Sequence, residues 1–114
     1  MNVMILEDEP LIAMSMQMMV EDQGWAVVGP FSTIEDAAGA VKESQVDVAL
    51  LDYNISGRPS FVVADMLAAK EIPFAFTSGQ SARDIDQRFA GRPTFVKPID
   101  ETQVRRFLKK IAAR

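Results

Sequence analysis

The sequence predicts an α/β fold with a parallel sheet covered by helices on both faces. Short apolar runs of strand length recur along the chain, and stretches with helical apolar spacing lie between them. With 114 residues, there is room for one domain with one working core, without disulfide or metal staples.

Val3-Met4-Ile5-Leu6 reads as a buried strand that ends in Glu7-Asp8-Glu9. Pro10 suits the first turn of a helix running to about Gln23, and Gly24 suits its C-terminal cap. Trp25 to Val28 reads as a second strand. Ser32 and Glu35 have capping-box spacing ahead of a helix that places Ile34, Ala37, Ala38 and Val41 on one face. Val46 to Leu51 forms a third strand ending at Asp52, and residues 53–59 read as loop. Ser60 suits the cap of a helix to about Glu71. Phe74 to Thr77 is a fourth strand, Ala82 to Phe89 a short helix, and Thr94 to Val96 a fifth strand. Asp100 caps a last helix with a narrow apolar stripe of Val104, Phe107, Leu108 and Ile111. Met14, Met16, Met18 and Met19 read as core filler and helix surface.

Right-handed crossovers leave few ways to wind five such strands. The flavodoxin-like, doubly wound order 2-1-3-4-5 is the most economical. It reverses direction between strands 1 and 3, where ligands bind at the strands' carboxyl ends. Both ends carry acids: Glu7 and Asp8 after strand 1, Asp52 after strand 3.

Composition narrows the chemistry. The chain has no Cys and no His, which excludes disulfides, thiolate nucleophiles, Ser-His-Asp triads and phosphohistidine carriers. Carboxylates, hydroxyls, lysine or a hard cation must carry any reaction. A formal net charge of -4 argues against direct binding of nucleic acid by the whole chain. No apolar run approaches a membrane span, and the N-terminus lacks a basic signal region, so a cytoplasmic location is expected. Charge is uneven: residues 1–52 hold ten acids and one base, while the last ten residues include Arg105, Arg106, Lys109, Lys110 and Arg114. That basic face reads equally as a solvated surface or a site for an acidic partner.

Two or three carboxylates brought close together repel unless a cation sits among them. Mg2+ typically takes one or two carboxylates plus phosphate, and a carboxylate facing it can act as a nucleophile toward phosphorus. The phosphoryl oxygens then need further donors. Thr77-Ser78-Gly79 after strand 4 and Lys97-Pro98 after strand 5 reach the same sheet edge.

The set Glu7-Asp8, Asp52, Ser78 and Lys97-Pro98 resembles the receiver domain of two-component response regulators, over essentially the whole chain. Pro73-Phe74-Ala75-Phe76-Thr77-Ser78-Gly79 resembles the PFxF…TG-type motif of stand-alone alphaproteobacterial receivers. The resemblance implies one receiver domain over residues 1–114. Glu7, Asp8, Asp52 and the backbone carbonyl of Asn54 would hold Mg2+. Asp52 would accept phosphoryl from a sensor histidine kinase or phosphotransfer protein, and the switched domain would bind a downstream protein. Ser78 and Lys97 would contact the phosphoryl oxygens across a cis Lys97–Pro98 peptide. Counting from Pro73 selects Ser78 as the switch hydroxyl, with Thr77 the alternative one residue away.

Glu7 stands where Asp is more usual in this family. Thr94 stands where an aromatic switch residue is common, so the loop and short helix at 79–91 are expected to carry the response. Only 19 positions separate Ser78 from Lys97, so the fourth helix is expected to be short or irregular. The receiver is not expected to be an enzyme beyond its own phosphorylation and dephosphorylation. Two other readings stand beside it. Asp52-Tyr53-Asn54 approaches the D-x-D motif of aspartate-nucleophile phosphatases, which turnover of phosphate esters would reveal. A phosphorylation-independent pseudo-receiver would show no Mg2+ binding.

Overall fold

The computed structural model describes residues 1–79 and 85–114. Along them run β1 (Asn2–Leu6), α1 (Pro10–Asp22), β2 (Ala26–Phe31), α2 (Ile34–Glu43), β3 (Val48–Asp52), β4 (Asn54–Ile55), β5 (Arg58–Pro59), α3 (Phe61–Ala69), β6 (Phe74–Ser78), a 3-10 turn (Gln87–Phe89), β7 (Thr94–Val96) and α4 (Glu101–Ala112). The five main strands pair in parallel in the order β2-β1-β3-β6-β7, the doubly wound flavodoxin-like order expected for strands 2-1-3-4-5.

The inner strands carry continuous apolar runs rather than alternating patterns because successive side chains feed two separate cores. Met4, Leu6, Ala49, Leu51, Phe74 and Phe76 pack against α2 and α3. Val3, Ile5, Val48, Leu50 and Ala75 pack against Met16, Met19 and Val20 of α1 and Val104 and Leu108 of α4. Met14 and Met18 lie on the exposed face of α1. No helix among the described residues is long and apolar enough to cross a membrane.

Several local expectations are corrected. Among the described residues there are four α-helices, and a 3-10 turn falls where the short or irregular fourth helix is expected. Of the helix expected over 82–89, residues 82–84 lie outside the described residues, and 87–89 make the 3-10 turn. The cap of α2 is Thr33, whose hydroxyl accepts from the Asp36 N–H at 3.1 Å, rather than Ser32. Glu9, the last of the three acids after β1, caps α1, its carboxylate accepting from the Leu11 N–H at 3.1 Å. Residues expected as loop at 53–59 contain a short antiparallel hairpin, β4–β5. The second strand starts at Ala26 and continues through a bulge to Phe31. Gly29 makes that bulge possible: its φ is +101°, and a Cβ there would come within 2.7 Å of the Phe31 nitrogen. The Lys97–Pro98 peptide is cis, as is Gly29–Pro30.

Candidate phosphoacceptor site

The parallel register brings the ends of β1, β3 and β6 level. Leu6 pairs with Leu51 and Asp52 pairs with Thr77, so Glu7 and Asp52 emerge side by side at the carboxyl edge. Both are buried, whereas Asp8, next along the chain, is half-buried. One carboxylate oxygen from each of Glu7, Asp8 and Asp52 lies within 4.8 Å of the others.

Lys97, just beyond β7, enters this cluster. Its Nζ lies 2.8 Å from Glu7 Oε1 and 3.1 Å from Asp52 Oδ2. Its backbone N–H donates to the Ser78 carbonyl at 2.7 Å, which ties the ends of β6 and β7 together. Burial raises the Glu7 pKa to about 7. The Lys97 ammonium and the Glu9 N–H on Oε2 pull it down, and Asp52 adds to the rise. Burial lowers the Lys97 pKa, but its contacts with Glu7 and Asp52 outweigh this and raise it overall.

The remaining anticipated residues sit close by. The Asn54 N–H donates to Asp52 Oδ1 at 3.3 Å, and its side-chain carbonyl accepts from the Gly57 N–H at 2.8 Å, closing the β4–β5 turn. Ser78 is buried at the end of β6. Thr77, its alternative, is buried in register with Asp52.

Two positioning serines escaped the sequence reading. Ser60 was expected to cap a helix, yet it makes no side-chain cap bond to α3. Its buried Oγ instead donates to the Asp52 carbonyl at 2.7 Å, and its N–H donates to the Tyr53 carbonyl at 2.9 Å. Together these hold the backbone that carries Asp52. Ser56, at φ +51°, donates its N–H to Asp8 Oδ2 at 3.0 Å, linking the hairpin to the acid cluster. Both depend on the turn following β3, whose shape no local spacing in 53–59 announces.

Three converging carboxylates facing one ammonium leave an excess of negative charge, and all the donor atoms are hard oxygens. This donor set fits Mg2+. Glu7 Oε1 reinforces the fit, being buried with no aligned hydrogen bond among the described residues beyond its ion pair to Lys97.

The chain matches the model of the response regulator receiver domain over residues 3–109. It belongs to that family. The receiver domain is similar to the solution structure of SdrG from Sphingomonas melonis Fr1, with a TM-score of 0.85 and 38% identity, covering 97% of this chain and 95% of that one. It is 34% identical over 88 residues to the phyllosphere-induced regulator PhyR of Methylorubrum extorquens, covering 72% of this chain and 32% of PhyR. It is 29% identical over 88 residues to the transcriptional regulatory protein PdtaR of Mycobacterium tuberculosis, covering 76% of this chain and 43% of PdtaR. The matched region is thus less than half the length of either curated relative. As a receiver domain the chain is a two-component signalling module rather than a conventional enzyme.

Proposed function

We propose that this receiver, a single domain over residues 1–114, is a cytoplasmic phosphoacceptor switch. Asp52 takes a phosphoryl group from a phosphohistidine on a sensor histidine kinase or phosphotransfer protein, and the phosphorylated form engages a downstream protein. The observation that carries this reading is Lys97 Nζ held between Glu7 Oε1 and Asp52 Oδ2, with the Asp8 carboxylate alongside.

An Asp52 oxygen forms a bond to phosphorus while the phosphorus–nitrogen bond breaks, and its electrons leave on the imidazole nitrogen. Mg2+ held by Glu7, Asp8, Asp52 and the Asn54 carbonyl would offset the carboxylate charge and neutralise charge on the phosphoryl oxygens. Lys97 supplies a second cation, already beside the reacting carboxylate. Ser78 contributes a hydroxyl to the phosphoryl oxygens from the end of β6. The Asn54 N–H and the Ser60 hydroxyl keep the Asp52 carboxylate and backbone in place.

Incubation with acetyl phosphate, followed by intact-mass measurement, tests the metal requirement. One added phosphoryl mass is expected with Mg2+ and none after chelation with EDTA. Equal labelling in both would remove Mg2+ from the account. Absence of labelling even with Mg2+, together with no Mg2+ binding, would favour a pseudo-receiver.

A further inference from the structure

Asp8 is the least restrained of the three clustered acids. Lys97 ion-pairs with Glu7 and Asp52, which are both buried. Asp8 is half-buried, and among the described residues its carboxylate is held by Ser56 alone. Asp8 Oδ2 accepts from the Ser56 N–H at 3.0 Å and from the Ser56 hydroxyl at 3.4 Å. Mg2+ demands near-ideal octahedral geometry, so a ligand free to rotate must be ordered at the expense of affinity.

The β4–β5 hairpin is what brings Ser56 to Asp8. Ile55 pairs with Arg58, leaving Ser56-Gly57 as a two-residue loop with φ of +51° and +86°. Glycine adopts such a backbone freely, whereas serine is disfavoured there. The surrounding frame holds the strained turn. Ile55 is buried in the core against α2 and α3, and Asn54 Oδ1 accepts from the Gly57 N–H at 2.8 Å. Arg58 pairs with Glu35 of α2 at 2.6 Å.

We infer that the β4–β5 hairpin sets the affinity of the site for Mg2+ by holding Asp8 through Ser56, and that Mg2+ in turn holds the hairpin closed. The inference rests on the proposed metal-binding role of Glu7, Asp8 and Asp52. A carboxylate that ligates through one oxygen still accepts a hydrogen bond from an outer donor, and that donor orients the ligand. The Ser56 N–H and the metal therefore share Asp8 rather than compete for it. Linkage makes the effect reciprocal: the factor in affinity that the closed hairpin contributes returns as protection of the hairpin against opening. Asn54 lies in the same hairpin, so the backbone carbonyl expected to ligate and the donor that orients Asp8 are held by one turn.

Calorimetric titration of Mg2+ into wild type, Ser56→Gly and Ser56→Val tests the first half. Glycine keeps the N–H and accepts the positive φ, so Ser56→Gly should stay within about threefold of wild type, the loss of one weak hydroxyl contact. A β-branched side chain resists that φ and pulls the N–H off Asp8, so Ser56→Val should bind Mg2+ roughly tenfold more weakly. Equal affinities of Ser56→Val and wild type would overturn the inference, as would Ser56→Gly falling as far as Ser56→Val. Amide hydrogen exchange of wild type in EDTA and in saturating Mg2+ tests the second half, and stands even if Ser56→Val folds poorly. Exchange of the Ser56 amide should slow severalfold with Mg2+; unchanged or faster exchange would show that the loaded site does not use this N–H. Failure of the metal-site reading looks different: wild type itself would show no saturable Mg2+ binding, and both proposals would fall.

Discussion

Burial favours a protonated Glu7 carboxyl, while the Lys97 ammonium at 2.8 Å favours an ionised one, and the balance leaves its pKa near 7. A proton and a divalent cation compete for the same oxygens, so this group links metal binding to pH. Below pH 7 Glu7 carries its proton and Mg2+ must displace it; above pH 7 the carboxylate is free to ligate. Mg2+ affinity is therefore predicted to rise severalfold from pH 6 to pH 8. Calorimetry on wild type and Glu7→Gln checks this, the variant showing a flatter profile. A wild-type affinity independent of pH would contradict the link. Ser60 acts on the same centre through the backbone. Removing its buried hydroxyl orphans the Asp52 carbonyl, so Ser60→Ala should lose about 1–2 kcal/mol in urea unfolding. A loss below about 0.3 kcal/mol would return Ser60 to the role of a mere helix neighbour.

At the scale of elements, caps separate what the sequence displays from what it hides. Ser32 and Glu35 have capping-box spacing, but the hydroxyl that accepts a helix N–H belongs to Thr33. Either residue satisfies the local rule, and the path of the chain out of the bulged end of β2 decides between them. Thr33→Ala should therefore cost about 1 kcal/mol and Ser32→Ala close to none. The reverse order in thermal unfolding would place the cap at Ser32. The same contrast runs through the site. The strand ends were legible because an apolar run that stops at an acid marks its own edge, as Leu6-Glu7 and Leu51-Asp52 do. The hairpin at 54–59 was not, because β4 and β5 are two residues each, too short for periodicity to register. Ser56 and Ser60, the contacts that hairpin creates, were hidden with it.

For the whole molecule, one sheet supports two cores and gathers the chemistry at a single edge. That arrangement was readable from the alternation of runs and helices, since few right-handed windings accommodate five parallel strands. A change at Asp52 spreads most directly through β6, which pairs with β3 on one side and β7 on the other. The Ser78 carbonyl accepts from the Lys97 N–H, so movement of either strand end pulls the other. Beyond them, Arg88 ties the 3-10 turn to Asp65 of α3 at 3.3 Å, while Phe89 packs on Phe76. Thr94 offers no ring to carry a signal along β7, so the response should pass through this segment. Beryllofluoride should accordingly shift the amides of Gly79 and of residues 85–91 more than those of α2. Larger shifts in α2 would redirect the signal to the other side of the sheet.

The central claim is that Asp52 is the phosphoacceptor, and intact-mass measurement after incubation with acetyl phosphate and Mg2+ tests it most directly. Wild type is predicted to gain a single phosphoryl group and Asp52→Ala none; equal labelling of the variant would contradict the account.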